Sequence, residues 1–121
     1  MQTGPLIYSY GACSTCRRAL KWLADQGIRA QVIDITQTPP PAPVLQQALQ
    51  SLGRARLLNT SGRSYRELGA QAVRAWSDDQ LLAALAADGR LIRRPLLVTP
   101  AGSVLTGFKP QEWHDCLVGP G

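Results

Sequence analysis

Two cysteines three positions apart, Cys13 and Cys16, are the residues of this sequence best suited to carry chemistry. They lie between a short apolar stretch, residues 6–10, and a segment whose apolar residues recur at helical spacing. A thiol at a helix N-terminus faces unsatisfied N–H groups and the positive end of the helix dipole, which favour the reactive thiolate. The pattern therefore predicts a reactive dithiol in which Cys13 attacks and Cys16 resolves the covalent intermediate.

Two other interpretations of the cysteine pair stay open. In the first, both thiols are packing residues, since free cysteine often behaves as a small hydrophobe. In the second, Cys13 and Cys16 bind zinc together with His114 and Cys116, although structural zinc normally takes a second closely spaced ligand pair. Cys116 itself is predicted to be a core residue, because it shares a helix face with Trp113, whereas His114 is predicted to be exposed.

The elements that must position the pair follow from apolar periodicity and from turn and capping residues. The sequence predicts a strand at 6–10, a helix at 16–26, a strand at 30–35, a helix from Pro43 to Leu52, one helical turn at 65–68, a helix from the Ser77 capping box to Gly89, a hairpin of strands 96–99 and 104–106, and a helix starting at Pro110.

This order is a βαβ unit, a mostly helical block and a ββα unit. A strand, helix and strand in succession require two parallel strands, and the hairpin adds antiparallel ones, so the sheet is mixed. A CxxC beside a βαβ unit selects the thioredoxin-like fold among α/β folds. We expect one domain over residues 1–121, with its core at about 4–37 and 94–118 and a helical insertion at about 38–93.

Composition places the protein in the cytoplasm. We find no apolar run of bilayer length and no signal-peptide pattern, so no membrane association is expected. The three cysteines then favour redox chemistry over a structural disulfide. The net charge of +5 suits acidic partners or oxyanions, but the arginines are dispersed and no recognition helix is evident, so direct nucleic-acid binding is not expected.

The Arg93-Arg94-Pro95 segment precedes an apolar strand, where an X-Pro bond can be cis. Thioredoxin-like folds place such a proline opposite the cysteine turn, so we expect Arg94 to belong to the site and Arg93 to be solvated. Arg17 follows Cys16 and adds positive charge near Cys13. The predicted substrate-binding residues are therefore Arg17, Arg94 and Pro95, and the predicted catalytic residues are Cys13, Cys16 and Arg94.

Nearly the whole chain resembles the arsenate reductase/Spx family, whose members share a thioredoxin-like fold with a helical insertion. The motifs that carry the resemblance are Tyr10-Gly11-Ala12-Cys13-Ser14-Thr15-Cys16-Arg17-Arg18-Ala19, Thr38-Pro39-Pro40, Leu58-Asn59-Thr60-Ser61-Gly62, Tyr65-Arg66-Glu67-Leu68-Gly69, Leu91-Ile92-Arg93-Arg94-Pro95-Leu96 and Thr106-Gly107-Phe108. The resemblance implies that Cys13 is the nucleophile and that Arg94 is the site arginine before the proline.

The resemblance also implies a thiol-disulfide oxidoreductase related to the glutaredoxin-dependent arsenate reductases. It implies no tightly bound cofactor, a small oxyanion or thiol substrate, and glutathione with glutaredoxin, or thioredoxin, as reductant. Those reductases hold the oxyanion with three arginines, but Asn59 replaces the first and the segment at Thr106-Gly107 lacks the third. Only Arg94 carries over, which implies poor binding of arsenate.

The second cysteine of the pair is similar to the CxxC switch of Spx-type regulators. Those proteins bind the RNA polymerase α subunit. The alternative function is therefore a redox-switched transcriptional regulator whose affinity for polymerase changes when Cys13 and Cys16 are oxidised.

Overall fold

The computed structural model describes residues 4–119; residues 1–3 and 120–121, the ends of the predicted domain, lie outside the described residues. Its elements are β1 (Leu6–Ser9), α1 (Ser14–Asp25), β2 (Gln31–Asp34), α2 (Ala42–Leu52), α3 (Arg54–Leu57), α4 (Arg63–Leu68), α5 (Ala70–Arg74), α6 (Asp78–Ala87), a 3₁₀ turn (Gly89–Leu91), β3 (Leu96–Val98), β4 (Val104–Thr106) and α7 (Pro110–Leu117). None of the helices within residues 4–119 is long and apolar enough to cross a bilayer.

The four strands form one mixed sheet in the order β2-β1-β3-β4. β1 pairs in parallel with β2, as the intervening helix requires, and antiparallel with β3 on its other side. β3 and β4 are antiparallel neighbours joined by a short turn. The predicted thioredoxin-like α/β architecture is confirmed, and the C-terminal end of β1 lies near the middle of the sheet.

Alternating side chains of the central strands separate the interior into two apolar layers. Ile7 of β1 and Leu97 of β3 face a layer containing α1 and Trp113 of α7. Tyr8 and Leu96, one position away on the same strands, face the other layer, which the helices of the 38–93 segment fill. Because β1 is covered on both faces, the turn that follows it is held in place from both sides.

Capping residues and prolines in the sequence predicted most helix starts correctly. Ser77 and Gln80 form the predicted capping box at α6, and Pro43 lies in the first turn of α2. Helix α1 starts at Ser14, two residues before the predicted Cys16, because Cys13 is extended and its sulfur accepts a hydrogen bond from the N–H of Cys16. The cysteine pair therefore spans the first turn of the helix.

Between α2 and α6 the chain forms three short helices, where the sequence predicted a single helical turn. Gly53 separates α2 from α3 and Gly69 separates α4 from α5, with φ of +81° and +89°, a region that other residues rarely adopt. The strand-like residue Leu58 bridges Ile92, and two backbone hydrogen bonds flank this contact, from Asn59 N–H to the Leu91 carbonyl (2.8 Å) and from Arg93 N–H to the Leu57 carbonyl (2.9 Å). The helical segment is thereby fastened to the residues that precede Pro95.

Two predictions about residues of helix α7 are wrong. Cys116 is exposed and is not a core residue, and His114 is half-buried instead of exposed. Trp113 is fully buried, and Leu117 packs beside it in the same layer. At 100° per residue the centre of this face falls between Trp113 and Leu117, which leaves Cys116 at its margin.

Candidate functional site

The turn after β1 presents the sulfur of Cys13 at the N-terminus of α1. The Cys13 N–H donates to the Tyr10 carbonyl at 3.0 Å, and the Cys13 carbonyl accepts the first helical hydrogen bond, from Arg17 at 3.1 Å. With its backbone fixed in this way, the Cys13 sulfur accepts from the N–H of Cys16 at 3.3 Å. A thiolate at this position is stabilised by the start of the helix, as the sequence predicted.

Arg94 is the cation that lowers the pKa of the Cys13 sulfur. Partial burial by itself raises the pKa of Cys13, but hydrogen bonds from Cys16 and Arg94, together with the positive charge of Arg94, outweigh burial and lower the pKa. The guanidinium of Arg94 lies 5.2 Å from the centre of the Tyr10 ring, and its Nη1 donates to the Arg90 carbonyl at 3.4 Å. Its Nε is buried without a partner among the described residues.

Cys16 is fully buried one turn behind Cys13. Burial raises its pKa, and the hydrogen bond and negative charge of Cys13 raise it further, against smaller opposing effects from Tyr10 and Ser9. The two thiols are free and have opposite pKa directions. The partly exposed Cys13 is therefore the thiol whose ionisation is favoured, and the buried Cys16 is the one whose ionisation is disfavoured.

The other predicted site residues have different surroundings. The Arg94–Pro95 peptide bond is cis, and the buried Pro95 accepts a hydrogen bond from the Gly107 N–H at 3.0 Å. The guanidinium of Arg17 donates to the Gly11 carbonyl at 2.8 Å and is not among the residues that line the cavity beside Arg94. The structure therefore brings Cys13, Cys16 and Arg94 together and leaves Arg17 on the outer side of the cysteine turn.

A cavity of about 310 Å³ lies on one side of Arg94. Its walls come from the start of α1, from α3, from the segment before β3 and from the loop between β4 and α7; the lining residues are Thr15, Arg56, Arg93, Arg94, Thr106, Gly107, Phe108 and Lys109. Arg93, which the sequence assigned to solvent, is indeed exposed and yet forms part of this wall. Sequence reasoning missed Arg56 and Lys109 altogether.

Arg56 is neutralised by an acidic partner in the cavity wall. Its guanidinium contacts both carboxylate oxygens of Glu112, at 2.8 and 3.3 Å, and the two side chains are about one-third exposed, at 34% and 29%. The Thr106 hydroxyl donates to the Arg56 carbonyl. These contacts join α3 of the helical segment to β4 and α7 across the cavity.

A second, smaller cavity of about 110 Å³ also borders Arg94, and Tyr10, Asn59 and Arg90 are among the residues that line it. The Asn59 amide donates to the Arg90 carbonyl at 3.2 Å, and its side-chain oxygen accepts from the Ser61 N–H at 3.2 Å. Asn59 is thus a neutral side chain whose nitrogen and oxygen each have a hydrogen-bond partner.

The zinc interpretation has no support in residues 4–119, where no group of three or more His, Cys, Asp or Glu residues lies close enough to hold a metal ion.

Trp22 and Trp113 are packing residues near the larger cavity. Trp113 packs edge-on against Trp22 and Phe108, with ring centres 6.3 and 5.1 Å apart, and its indole N–H donates to the Gly107 carbonyl at 3.1 Å. This contact fixes the loop that forms one wall of the larger cavity.

The sequence and the fold of this chain are similar to those of several known proteins. The model of the ArsC family matches residues 8–116. An uncharacterized protein of Bacillus subtilis, YusI, is 38% identical over 112 residues, which cover 90% of this chain and 94% of YusI. An arsenate reductase of Escherichia coli is 35% identical over 108 residues, covering 88% of this chain and 74% of the relative. The crystal structure of a possible arsenate reductase from Streptococcus mutans has a TM-score of 0.82 at 36% identity and covers 93% of this chain and 98% of its own.

Proposed function

This chain belongs to the ArsC family, and we propose that it is a cytoplasmic thiol-disulfide oxidoreductase with Cys13 as nucleophile and Cys16 as resolving cysteine. The observation that carries the proposal is the pairing of a partly exposed sulfur, supported by the start of α1 and by Arg94, with a buried sulfur one turn behind it. Glutathione with glutaredoxin, or thioredoxin, regenerates the dithiol.

The reaction proceeds through two exchanges. The Cys13 thiolate attacks one sulfur of a disulfide substrate, a Cys13–substrate S–S bond forms, and the substrate S–S bond breaks to release a thiolate. The thiolate released in the first exchange takes the proton of Cys16. The Cys16 sulfur then attacks the Cys13 sulfur, the Cys13–substrate S–S bond breaks, and the second thiolate leaves as the Cys13–Cys16 disulfide forms. Two electrons pass from the protein dithiol to the substrate, and the external thiol reductant returns them.

Arsenate fits this site less well than a disulfide does. Several relatives are named arsenate reductases, but here Asn59 replaces one expected oxyanion-binding arginine, and Arg94 is engaged with the Cys13 sulfur and the Tyr10 ring. Charge-assisted, bidentate contacts provide most of the affinity for an oxyanion, so their loss favours disulfide substrates.

The test is a comparison of substrates and variants. Thiol-dependent turnover of arsenate, a glutathione mixed disulfide and a small model disulfide is measured for the wild type, Cys13→Ser, Cys16→Ser and, as a matched control, Cys116→Ser. We expect Cys13→Ser to abolish turnover, Cys16→Ser to accumulate a mixed disulfide detectable by mass spectrometry, and Cys116→Ser to behave like the wild type. Absence of Cys13-dependent turnover with every substrate refutes the proposal.

The second candidate function is a redox-switched protein that binds the RNA polymerase α subunit. The cysteine pair itself supports it, since oxidation of Cys13 and Cys16 ties the start of α1 to its own first turn. The discriminating experiment is affinity capture of purified α subunit on the reduced and the oxidised protein. Binding in neither state removes this candidate and leaves the enzyme proposal intact.

A further inference from the structure

We propose that Arg93 and Lys109 form the recognition site for a carboxylate on the disulfide substrate, while Arg94 serves the reacting sulfur. This inference rests on the proposed function and deepens it, because it names the substrate class: small disulfides whose thiol halves carry negative charge. The reaction is the two-step exchange described above, and its leaving group is a carboxylate-bearing thiolate.

The first argument is the charge balance of the larger cavity. Four of its lining residues are cationic, but Arg56 is paired with Glu112 and Arg94 faces the Cys13 sulfur. Arg93 and Lys109 have no ion-pair partner among residues 4–119. The cavity therefore presents two uncompensated positive charges in a wall that also contains Thr15 of the cysteine turn, and an anionic group of the substrate is the partner that neutralises them.

The second argument is the placement of Arg93 beside the loop that carries Lys109. Its N–H donates to the Leu57 carbonyl at 2.9 Å, so its backbone belongs to the bridge between the helical segment and the strand that follows. One guanidinium nitrogen lies only 3.7 Å from the point that a Cβ on Gly107 would occupy, which places the side chain over the β4–α7 loop. Lys109 lies at the end of that same loop.

The third argument is size. At roughly 30 Å³ per water-sized group, a cavity of about 310 Å³ accommodates roughly ten such groups, more than a tetrahedral oxyanion needs. Thr15 and Arg94 place the cavity next to the cysteine turn, and Arg93 and Lys109 belong to the same wall. An extended disulfide can therefore present its S–S bond to Cys13 while its carboxylate meets the two cations.

The test uses three disulfides of similar length and different charge. These are 3,3′-dithiodipropionate (anionic), bis(2-hydroxyethyl) disulfide (neutral) and cystamine (cationic). The fully reduced protein is mixed with each in the absence of a reductant, and the rate of Cys13–Cys16 oxidation is followed by quench and thiol titration. Each rate is divided by that of the same disulfide with free 2-mercaptoethanol, which removes differences in intrinsic reactivity.

For the wild type we expect the normalised anion-to-cation ratio to exceed 10 at low ionic strength and to fall as salt is added. In the double variant R93Q/K109Q the ratio falls below 3. Arg74→Gln, which removes an exposed arginine of α5 outside the cavity, keeps the wild-type ratio.

Two results overturn the inference in distinguishable ways. If the double variant discriminates like the wild type while Cys13→Ser abolishes oxidation by the neutral disulfide, the recognition site is refuted and the proposed function stands. If no disulfide oxidises the protein in a Cys13-dependent way, both are refuted. Matching circular dichroism and thermal unfolding of the variants and the wild type shows that these results come from folded protein.

Discussion

Substitution of Glu112 by Gln provides the most informative prediction, because it should weaken the fold and strengthen anion recognition at once. Glu112 holds Arg56 through two contacts across the cavity wall. Both side chains are about one-third exposed, so the loss lies between the roughly 0.2–1 kcal/mol of exposed pairs and the roughly 3–5 kcal/mol of buried ones. After allowance for solvent screening we expect a loss of about 1–2 kcal/mol in the free energy of unfolding, or roughly 3–10 °C in Tm.

The same substitution releases the positive charge of Arg56 into the cavity. At a separation of roughly 6 Å from a bound carboxylate, that charge contributes about 0.7 kcal/mol in bulk water and about 1.4 kcal/mol at half that dielectric constant. The oxidation rate with dithiodipropionate, relative to the neutral disulfide, should therefore rise about three- to tenfold. The assay is the single-turnover oxidation described above, run beside thermal unfolding.

Asp115→Asn is the matched control, because it removes one acid from an exposed position on the same helix. We expect it to change the relative rate less than twofold. If Glu112→Gln lowers Tm but leaves the preference for the anionic disulfide unchanged, then the charge of Arg56 does not act on the substrate and the electrostatic account of the cavity is wrong. If neither quantity changes, the ion pair does not contribute in solution.

Three further predictions concern single residues. Arg94→Gln should move the pH profile of Cys13 alkylation by iodoacetamide to higher pH, because it removes a hydrogen bond and a positive charge that lower the Cys13 pKa; mass spectrometry reads the modified site. Asn59→Arg should raise arsenate-dependent oxidation of the reduced protein at least tenfold, since it adds charge-assisted donors next to Arg94, and an unchanged rate contradicts this. Ser77→Ala should cost about 1 kcal/mol in urea unfolding, because the Gln80 N–H loses its cap.

Local signals in the sequence were enough to predict the cysteine turn. The position of Cys13 before α1, the capping box at Ser77 and the proline in the first turn of α2 each depend on residues a few positions apart. Such short-range hydrogen bonds and backbone preferences are visible in the order of residue types alone. The parallel pairing of β1 with β2 and the antiparallel pairing of β3 with β4 followed as well, because a helical crossover requires the first and a short turn the second.

The larger cavity was not predictable from the same signals. Arg56 meets Glu112 across 56 positions of the chain, and Lys109 belongs to a loop that Trp113 anchors through the Gly107 carbonyl. Arg93 gave no local sign that its side chain would lie over that loop. Contacts of this kind depend on how elements distant in the sequence pack together. An arginine just before a strand can equally well extend into solvent.

The paired hydrogen bonds around Leu58 and Ile92 have a consequence for partial unfolding. They bring the first and last residues of the 59–91 stretch together, so backbone contacts close that stretch at its base. Its helices also bury Val73, Leu81 and Leu85 in the apolar layer on one face of the sheet. Because opening the stretch breaks this packing and the closure at Leu58 together, we expect the backbone amides of α5 and α6 to exchange with solvent as one cooperative unit and not helix by helix.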